Sequence, residues 1–468
     1  MLGFSLHLWF LLLPLFFATS SAVLPNYTPT DNILLNCGAS SKTNSSDGRQ
    51  WNTDSAYISN TSTTSSTQSE PTPSVNQIPY LTARVFPSKF TYKIPVSGAG
   101  QKFLRLYFHP TNYADGFDMT KSFFSVHAAD QTLLSNFSAF LNLQSPSLTL
   151  VKEYIITVNQ SRLLDLTFIP SPNSSAFVNG IEVVSIPDKF YVKGNDDSNG
   201  IKLVGLPFQS TTFVTIDGSK ALEKFYRLNV GGQNVSSTDD SGMFRSWDGD
   251  DPYLFGSYGT TRLSKIEIHY SETTPPYTAP EIVYSTERFK DDNNYTPNIT
   301  WIFPVDYGFN YLLRLYFCES RLEVTQEGQL VFDILVNNQT AEERVDIIYW
   351  TGGRGIPIYK DYVVSFGANP DGNKSKTDLW LTMQPNKGYT FENTILNGLE
   401  IYKLSNDNHS LAAPNPLPPS ETKNSGGIQN SGTSGASIGG SFGISLVLCV
   451  FNFKQRAPLK VILKNQIW

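Results

Sequence analysis

Cysteine is nearly absent from this chain. Three residues among 468, Cys37, Cys318 and Cys449, exclude a small scaffold stapled by disulfides. Histidine is also sparse, five in all, and no HExxH, CxxC or phosphate-loop lysine occurs, nor a GxSxG set between a strand and a helix as a nucleophile elbow requires. Metalloprotease, thiol-redox, hydrolase-elbow and nucleotide-loop chemistries therefore have no sequence basis, and neither a cofactor nor a metal is expected. Charge is thin: 16% of residues are Asp, Glu, Lys or Arg, and the net charge is −6. Basic residues stay scattered until the last fifteen positions, which argues against nucleic acid. Helical periodicity is lacking almost throughout, which excludes a helical bundle.

What the chain does have is aromatic residues (13%), 33 Gly and 28 Pro, a composition suited to short strands joined by tight turns. One such strand occurs twice, as Phe103-Leu104-Arg105-Leu106-Tyr107-Phe108 and Leu312-Leu313-Arg314-Leu315-Tyr316-Phe317. In each, Leu, Leu and Phe alternate with Arg and Tyr, the period of a strand with one face buried. Three more landmarks recur in the same order. Asn36-Cys37-Gly38 matches Asn229-Val230-Gly231, and Thr82-Ala83-Arg84-Val85-Phe86 matches Ser285-Thr286-Glu287-Arg288-Phe289. Asn179-Gly180-Ile181-Glu182 matches Asn397-Gly398-Leu399-Glu400. Four landmarks at similar spacing mark a duplicated unit. The fold class is all-β, two tandem β-sandwiches of jelly-roll type.

Residues 1–22 read as a secretory signal, an apolar block from Leu6 to Phe17 followed by small residues and cleavage after Ala22. The two domains are assigned to 23–195 and 196–404, with the turn-rich Lys193 to Gly200 between them and a mobile Ser/Thr-rich loop from Ser59 to Ser69. Residues 405–440 read as a disordered Ser/Gly/Pro/Asn stalk, 441–453 as a short or truncated transmembrane segment, and 454–468 as a basic tail. The apolar core of that segment is about half of the ~20 residues a span needs. Two outcomes follow, retention at the outer face of the plasma membrane or release to the apoplast.

Sequons begin at Asn26, Asn44, Asn60, Asn136, Asn159, Asn173, Asn234, Asn294, Asn298, Asn338, Asn373 and Asn408. Behind a signal sequence they predict a heavily glycosylated surface. In an oxidising compartment Cys37 and Cys318 either pair, clamping the two domains, or stay as two buried thiols; spacing alone does not decide.

Asp239, Asp240, Asp248, Asp250 and Asp251 form an acidic patch without the EF-hand's glycine and glutamate, and are read as a solvated turn. Trp51, Tyr57, Tyr113 and Phe117 in the first copy, and Trp247, Tyr253, Phe255 and Tyr258 in the second, lie in loop-like polar contexts. They either offer rings to a ligand or plug the ends of the sandwiches. Trp51, Tyr113, Trp247 and Tyr253 are the candidate ligand-binding residues.

Together, the signal sequence, the tandem β-units and the paired Asn-Cys-Gly/Asn-Val-Gly, Thr82 to Phe86/Ser285 to Phe289 and Asn-Gly-Ile-Glu/Asn-Gly-Leu-Glu motifs resemble the ectodomain of plant malectin-like receptor kinases, from about Asn26 to Leu404. The resemblance implies a cell-surface sensor of the cell wall that binds cysteine-rich RALF-type peptides with a GPI-anchored co-receptor, and pectin as a further partner. Family members carry a cytoplasmic Ser/Thr kinase. No Gly-rich loop, VAIK, HRD or DFG motif follows the apolar tail here, which implies either a shortened receptor or a kinase-less form that competes for ligand. Animal lectins of the malectin type use an adjacent aromatic pair that falls at Asn112-Tyr113 and Arg321-Leu322 in this chain, and an aspartate that falls near Asn173. With one aromatic of four retained, peptide recognition is the leading reading. A cell-wall lectin without a receptor role, or a carbohydrate-active enzyme, is the alternative.

Overall fold

The computed structural model describes residues 27–58, 63–68, 70–114, 116–143, 148–192, 200–205, 212–257, 259–290, 298–369 and 375–416. Period-two alternation produces what it predicts, two sandwiches of the same topology. In the first, one sheet runs in the order Leu150–Val158, Gly100–Phe108, Gly180–Ser185, Asn32–Asn36, Gln50–Thr53. Its partner sheet runs Phe90–Pro95, Leu163–Pro170, Phe124–Ala128, Gln131–Phe137. The second sandwich repeats both orders, with Ile358–Ser365, Asn310–Phe317, Gly398–Leu404, Leu222–Asn229, Asp248–Gly249 facing Ile299–Asp306, Lys376–Pro385, Phe332–Val336, Gln339–Val345. Equivalent registers agree: Leu106 lies opposite Ile181 as Leu315 lies opposite Leu399. Leu104, Leu106 and Phe108 fill the first core and Leu313, Leu315 and Phe317 the second.

The two halves form one compact body. Among the described residues their sheets fuse edge to edge through two residue pairs, Tyr154 with Glu223 and Ile155 with Leu222. The face opposite each core, expected to be polar and wet, is covered. Phe103, Ile155, Leu222, Leu312, Tyr402 and the connecting residues Phe190 and Tyr191 make a third apolar cluster there, and Arg105 and Arg314 are buried with it. Of the turn expected at Lys193 to Gly200, residues 193–199 lie outside the described residues. On either side of it, Phe190 to Val192 and Ile201 are buried, so both flanks of the connection are packed.

Several expectations need correction. Within the Ser59 to Ser69 run, Thr64–Thr67 is a strand paired with Thr82–Phe86, and Arg84 donates to Ser65 Oγ at 2.8 Å. The disordered stalk does not begin at 405. After the last strand of the second half the chain crosses to the first, where Thr132 N donates to His409 O (2.8 Å) and Leu411 N to Thr132 O (2.9 Å). Asn415 Oδ1 accepts from Ser138 N at 2.9 Å. Leu411 is fully buried in the first half's core. Cys37 and Cys318 are free thiols. They belong to separate buried clusters, one in the first core and one beside Trp247 and Tyr316, so their side chains cannot meet and burial pushes both thiols up.

Of the sequons, Asn44, Asn136, Asn159, Asn173, Asn234, Asn338 and Asn408 are exposed and Asn298 is half-buried. Asn26, Asn60, Asn294 and Asn373 lie outside the described residues, as do the expected signal sequence, the segment 441–453, the tail and Cys449. Among the described residues no helix is long and apolar enough to cross a membrane.

Leu411→Ala should remove the apolar anchor of this strap and destabilise the protein by about 2–5 kcal/mol, read as a lower urea midpoint by tryptophan fluorescence.

Candidate functional site: the cleft between the halves

Two buried constellations occur once in each half. The first is a carboxylate that orders the loop after the first strand. Arg84 clasps Asp54 through Nε (2.9 Å) and Nη2 (2.7 Å), and Tyr92 donates to it at 2.8 Å. Arg288 clasps Asp250 at 2.7 and 2.9 Å, with Trp301 Nε1 donating at 2.8 Å. A bidentate arginine offsets the cost of burying the carboxylate. The repeated asparagines are brackets of the same kind. Asn179 Nδ2 donates to Thr82 O, and its Oδ1 accepts from His109 N. Asn397 does the same with Thr286 O and Cys318 N.

These contacts match Thr82 with Thr286, Ala83 with Glu287 and Arg84 with Arg288, one residue away from the sequence alignment. The glycines agree: a Cβ on Gly38 or Gly231 would lie 2.3 Å from Ala83 O or 2.2 Å from Glu287 O, and both residues have positive φ. Asp240 and Asp250 of the expected solvated patch are buried in arginine pairs, a correction to that reading.

The second constellation builds the candidate site. In the first half Arg105 donates to Glu153 (Nε, 2.6 Å) and Glu182 (Nη1, 2.8 Å). Arg49 also reaches Glu182, at 2.7 Å. Tyr107 donates to Glu182, and Trp51 meets Tyr107 edge-on, with ring centroids 5.3 Å apart. The second half repeats the set as Arg314 with Asp361 (2.7 Å), Tyr316 with Glu400 (2.7 Å), Trp247 on Tyr316 (5.6 Å) and Arg245. There the connecting residues close it: Phe190 O accepts from Arg314 Nη2 at 2.7 Å, and Tyr191 donates to Glu400 at 2.9 Å. In the first half Met243 O takes Arg105 Nη2 at 3.0 Å and the Phe244 ring lies 5.1 Å from Arg49. A cleft of ≈310 Å³ stays open beside them, bounded by Arg49, Trp51, Tyr80 and Tyr107 from one half and Lys224 and Phe244 from the other.

Arg227 ties the two constellations together. It donates to Glu153 of the first half and Glu400 of its own, both at 2.6 Å. Burial alone would raise Glu153, but Arg227 and Arg105 hold it well below the usual carboxylate range. Burial is overcome in the same way at Glu400 by Arg227, Arg245 and Arg314. Burial, reinforced by Glu182, pushes the Tyr107 hydroxyl far up. Glu153 and Glu400 therefore stay ionised, and Tyr107 keeps its proton, through neutral pH. Such an arrangement offers fixed shape and fixed charge.

The predicted site residues fare differently. Trp51, Tyr113 and Trp247 are buried, so the reading of them as exposed rings for a ligand is corrected. The tryptophans' polar sequence neighbours are their own partners, Trp51 donating to Ser45 Oγ and Trp247 to Asp240, while the Tyr113 hydroxyl accepts from the sequence-distant Asn179. Only Trp51 borders the cleft. Tyr253 is half-buried against Tyr226 and Phe303. Tyr57 and Phe117 pack on the first core, Phe255 is exposed against Trp380, and Tyr258 lies outside the described residues. At the second lectin position Arg321 is buried with Glu319 while Leu322 is 77% exposed. Arg49, Glu153 and Lys224 escaped the sequence reading. For Arg49 a signal existed, the recurrence of Arg-x-Trp at Arg49 and Arg245.

Arg227→Met should leave Glu153 and Glu400 each short of a cation and cost about 3–5 kcal/mol, visible as a lower thermal midpoint. Glu287 carries a pH dependence. It is fully buried; Oε2 accepts from Ser320, Oε1 has no hydrogen-bond partner, and Arg262 stays 3.7 Å away. Burial pushes it up to about 7. The folded chain keeps this proton where the unfolded chain has lost it, so the Glu287 contribution to stability falls as pH rises from 4.5 to about 7. Glu287→Gln should raise stability by up to about 3 kcal/mol above neutrality and change little at the acid end of that window, checked by urea unfolding across the pH range.

A malectin-like domain model matches residues 35–404. The receptor-like protein kinase FERONIA of Arabidopsis thaliana is 43% identical over 425 residues, 87% of this chain and 46% of that protein. The chain thus spans about half the length of the curated relatives it matches. Among solved structures, FERONIA's receptor-like kinase structure aligns with TM-score 0.73 at 42% identity, covering 83% of this chain and all of that one. The extracellular domain of ANXUR2 from the same plant aligns with TM-score 0.75 at 36% identity, again covering 83% of this chain and all of that one. The duplicated sandwiches, the doubled asparagine brackets and these likenesses agree: the chain belongs to the malectin-like family and carries the ectodomain fold of FERONIA-type plant receptor kinases.

Proposed function

We propose that this chain is the extracellular ligand-binding region of a plant cell-surface receptor, taking a cysteine-rich RALF-type peptide jointly with a GPI-anchored co-receptor at the outer face of the plasma membrane. One observation carries the reading. A chain in the crystal structure of the plant peptide RALF23 in complex with FER and LLG2 aligns over its whole length with 84% of this protein, at 40% identity and TM-score 0.72. The architecture supports it. A body whose halves are joined by buried ion pairs presents its loops without paying for reordering on binding, and the cleft's buried carboxylates are committed to arginine. Joint capture makes two weak contacts act as one.

The test is interferometry with the full chain purified from a secreting plant culture, using RALF23 as the probe with and without LLG2. Saturable binding, tightened at least about tenfold by the co-receptor, is expected. Absence of saturable binding in both arms would overturn the reading.

A further inference from the structure

Away from their two shared residue pairs, the strands of the two halves diverge and a second groove opens, of ≈640 Å³. It meets the first cleft at Val151 and Lys224, which border both. Lys152, Lys224, Lys376 and Lys403 line it against only two carboxylates, Glu223 and Asp306. Glu223 is bound by Lys152 at 2.8 Å and Lys403 at 2.6 Å, and Asp306 by Lys403 and Lys376, both at 3.0 Å. Four ammonium groups against two carboxylates leave an excess of two positive charges. Lys224 is the one with no ion pair or hydrogen bond among the described residues. Burial pulls its ammonium below the ordinary lysine value, with Glu153 opposing. A half-buried ammonium kept without a partner is costly to the fold, and an incoming anion would relieve that cost.

The walls are not those of a simple anion site. Val151 is 40% exposed, Leu150 and Phe225 are half-buried, and Pro414 and Pro416 of the strap form one lip. The Lys403 and Lys376 ammonium groups lie 5.0 and 5.5 Å from the Phe225 ring, so charge and apolar surface are interleaved.

We infer that this groove docks an acidic peptide segment of a partner protein, its carboxylates meeting Lys224 and Lys376 and its apolar side chains covering Val151 and Phe225. A uronate chain would supply the carboxylates but less apolar surface than leucine or phenylalanine to cover that wall. The site is separate from the reading above, which rests on the likeness of the whole ectodomain and not on this groove.

The full chain is titrated with a fluorescein-labelled decapeptide of glutamates interrupted by leucine and phenylalanine, followed by anisotropy, beside the same peptide with lysine for glutamate and beside an oligogalacturonide. The acidic peptide should bind saturably and weaken with salt, and the lysine peptide should not bind. Lys224→Gln should lower affinity at least about tenfold, the loss of one charge-assisted contact, while its thermal midpoint holds or rises. Val151→Asp, at an exposed position, should abolish binding with the fold intact. No saturable binding, equal binding of the lysine peptide, affinity unchanged in both variants, or oligogalacturonide binding more tightly through Lys224 would each overturn the inference.

Discussion

One buried carboxylate, Glu153, is shared by the two halves of this molecule and sets how they meet. It lies in the first half, yet its two arginines come from different halves, Arg105 and Arg227. Among the described residues, strand pairing across the sheet seam amounts to two residue pairs, too little to fix an orientation. The charge network adds directionality that apolar burial lacks, since each guanidinium is satisfied in one geometry only. Removing a member leaves buried charge uncompensated, so the halves are registered more strictly than the area between them would require.

The duplication shows how one constellation acquires two fates. Both halves carry the same Arg, Tyr, Trp and acid set. In the second it is sealed by Phe190 and Tyr191 and works as a joint. In the first it faces a cleft and is available to a ligand. The difference arises from where the connecting chain passes, since the residues themselves are nearly the same. A copy whose acids are all paired with arginine and tyrosine is suited to recognition, which fits a receptor ectodomain.

Alternation in the repeated strand correctly assigned Leu104, Leu106, Phe108 and their counterparts to cores, and with them the two sandwiches. It could not show that Arg105 and Arg314 face buried acids, because a polar face turned to water and one turned to a carboxylate have the same period. Ser285 and Thr286 are interchangeable to a pattern; the hydrogen bonds of Thr82 to Asn36 and Thr286 to Asn229 fix the true register. Trp51 and Trp247 looked exposed because their sequence neighbours are polar, and among those neighbours Ser45 and Asp240 prove to be their partners. Leu411 is one apolar residue in a run of Pro, Asn and Ser, and composition averages it away. Lys224 in Leu-Glu-Lys-Phe carries no local mark, since its lack of a partner is visible only in three dimensions.

The strap changes how the body carries load. Because the chain leaves the second half, crosses to Thr132 and buries Leu411 in the first, any pull applied beyond Pro416 is transmitted to both halves at once. Tension therefore draws them against their shared network and does not peel the terminal strand from its sheet.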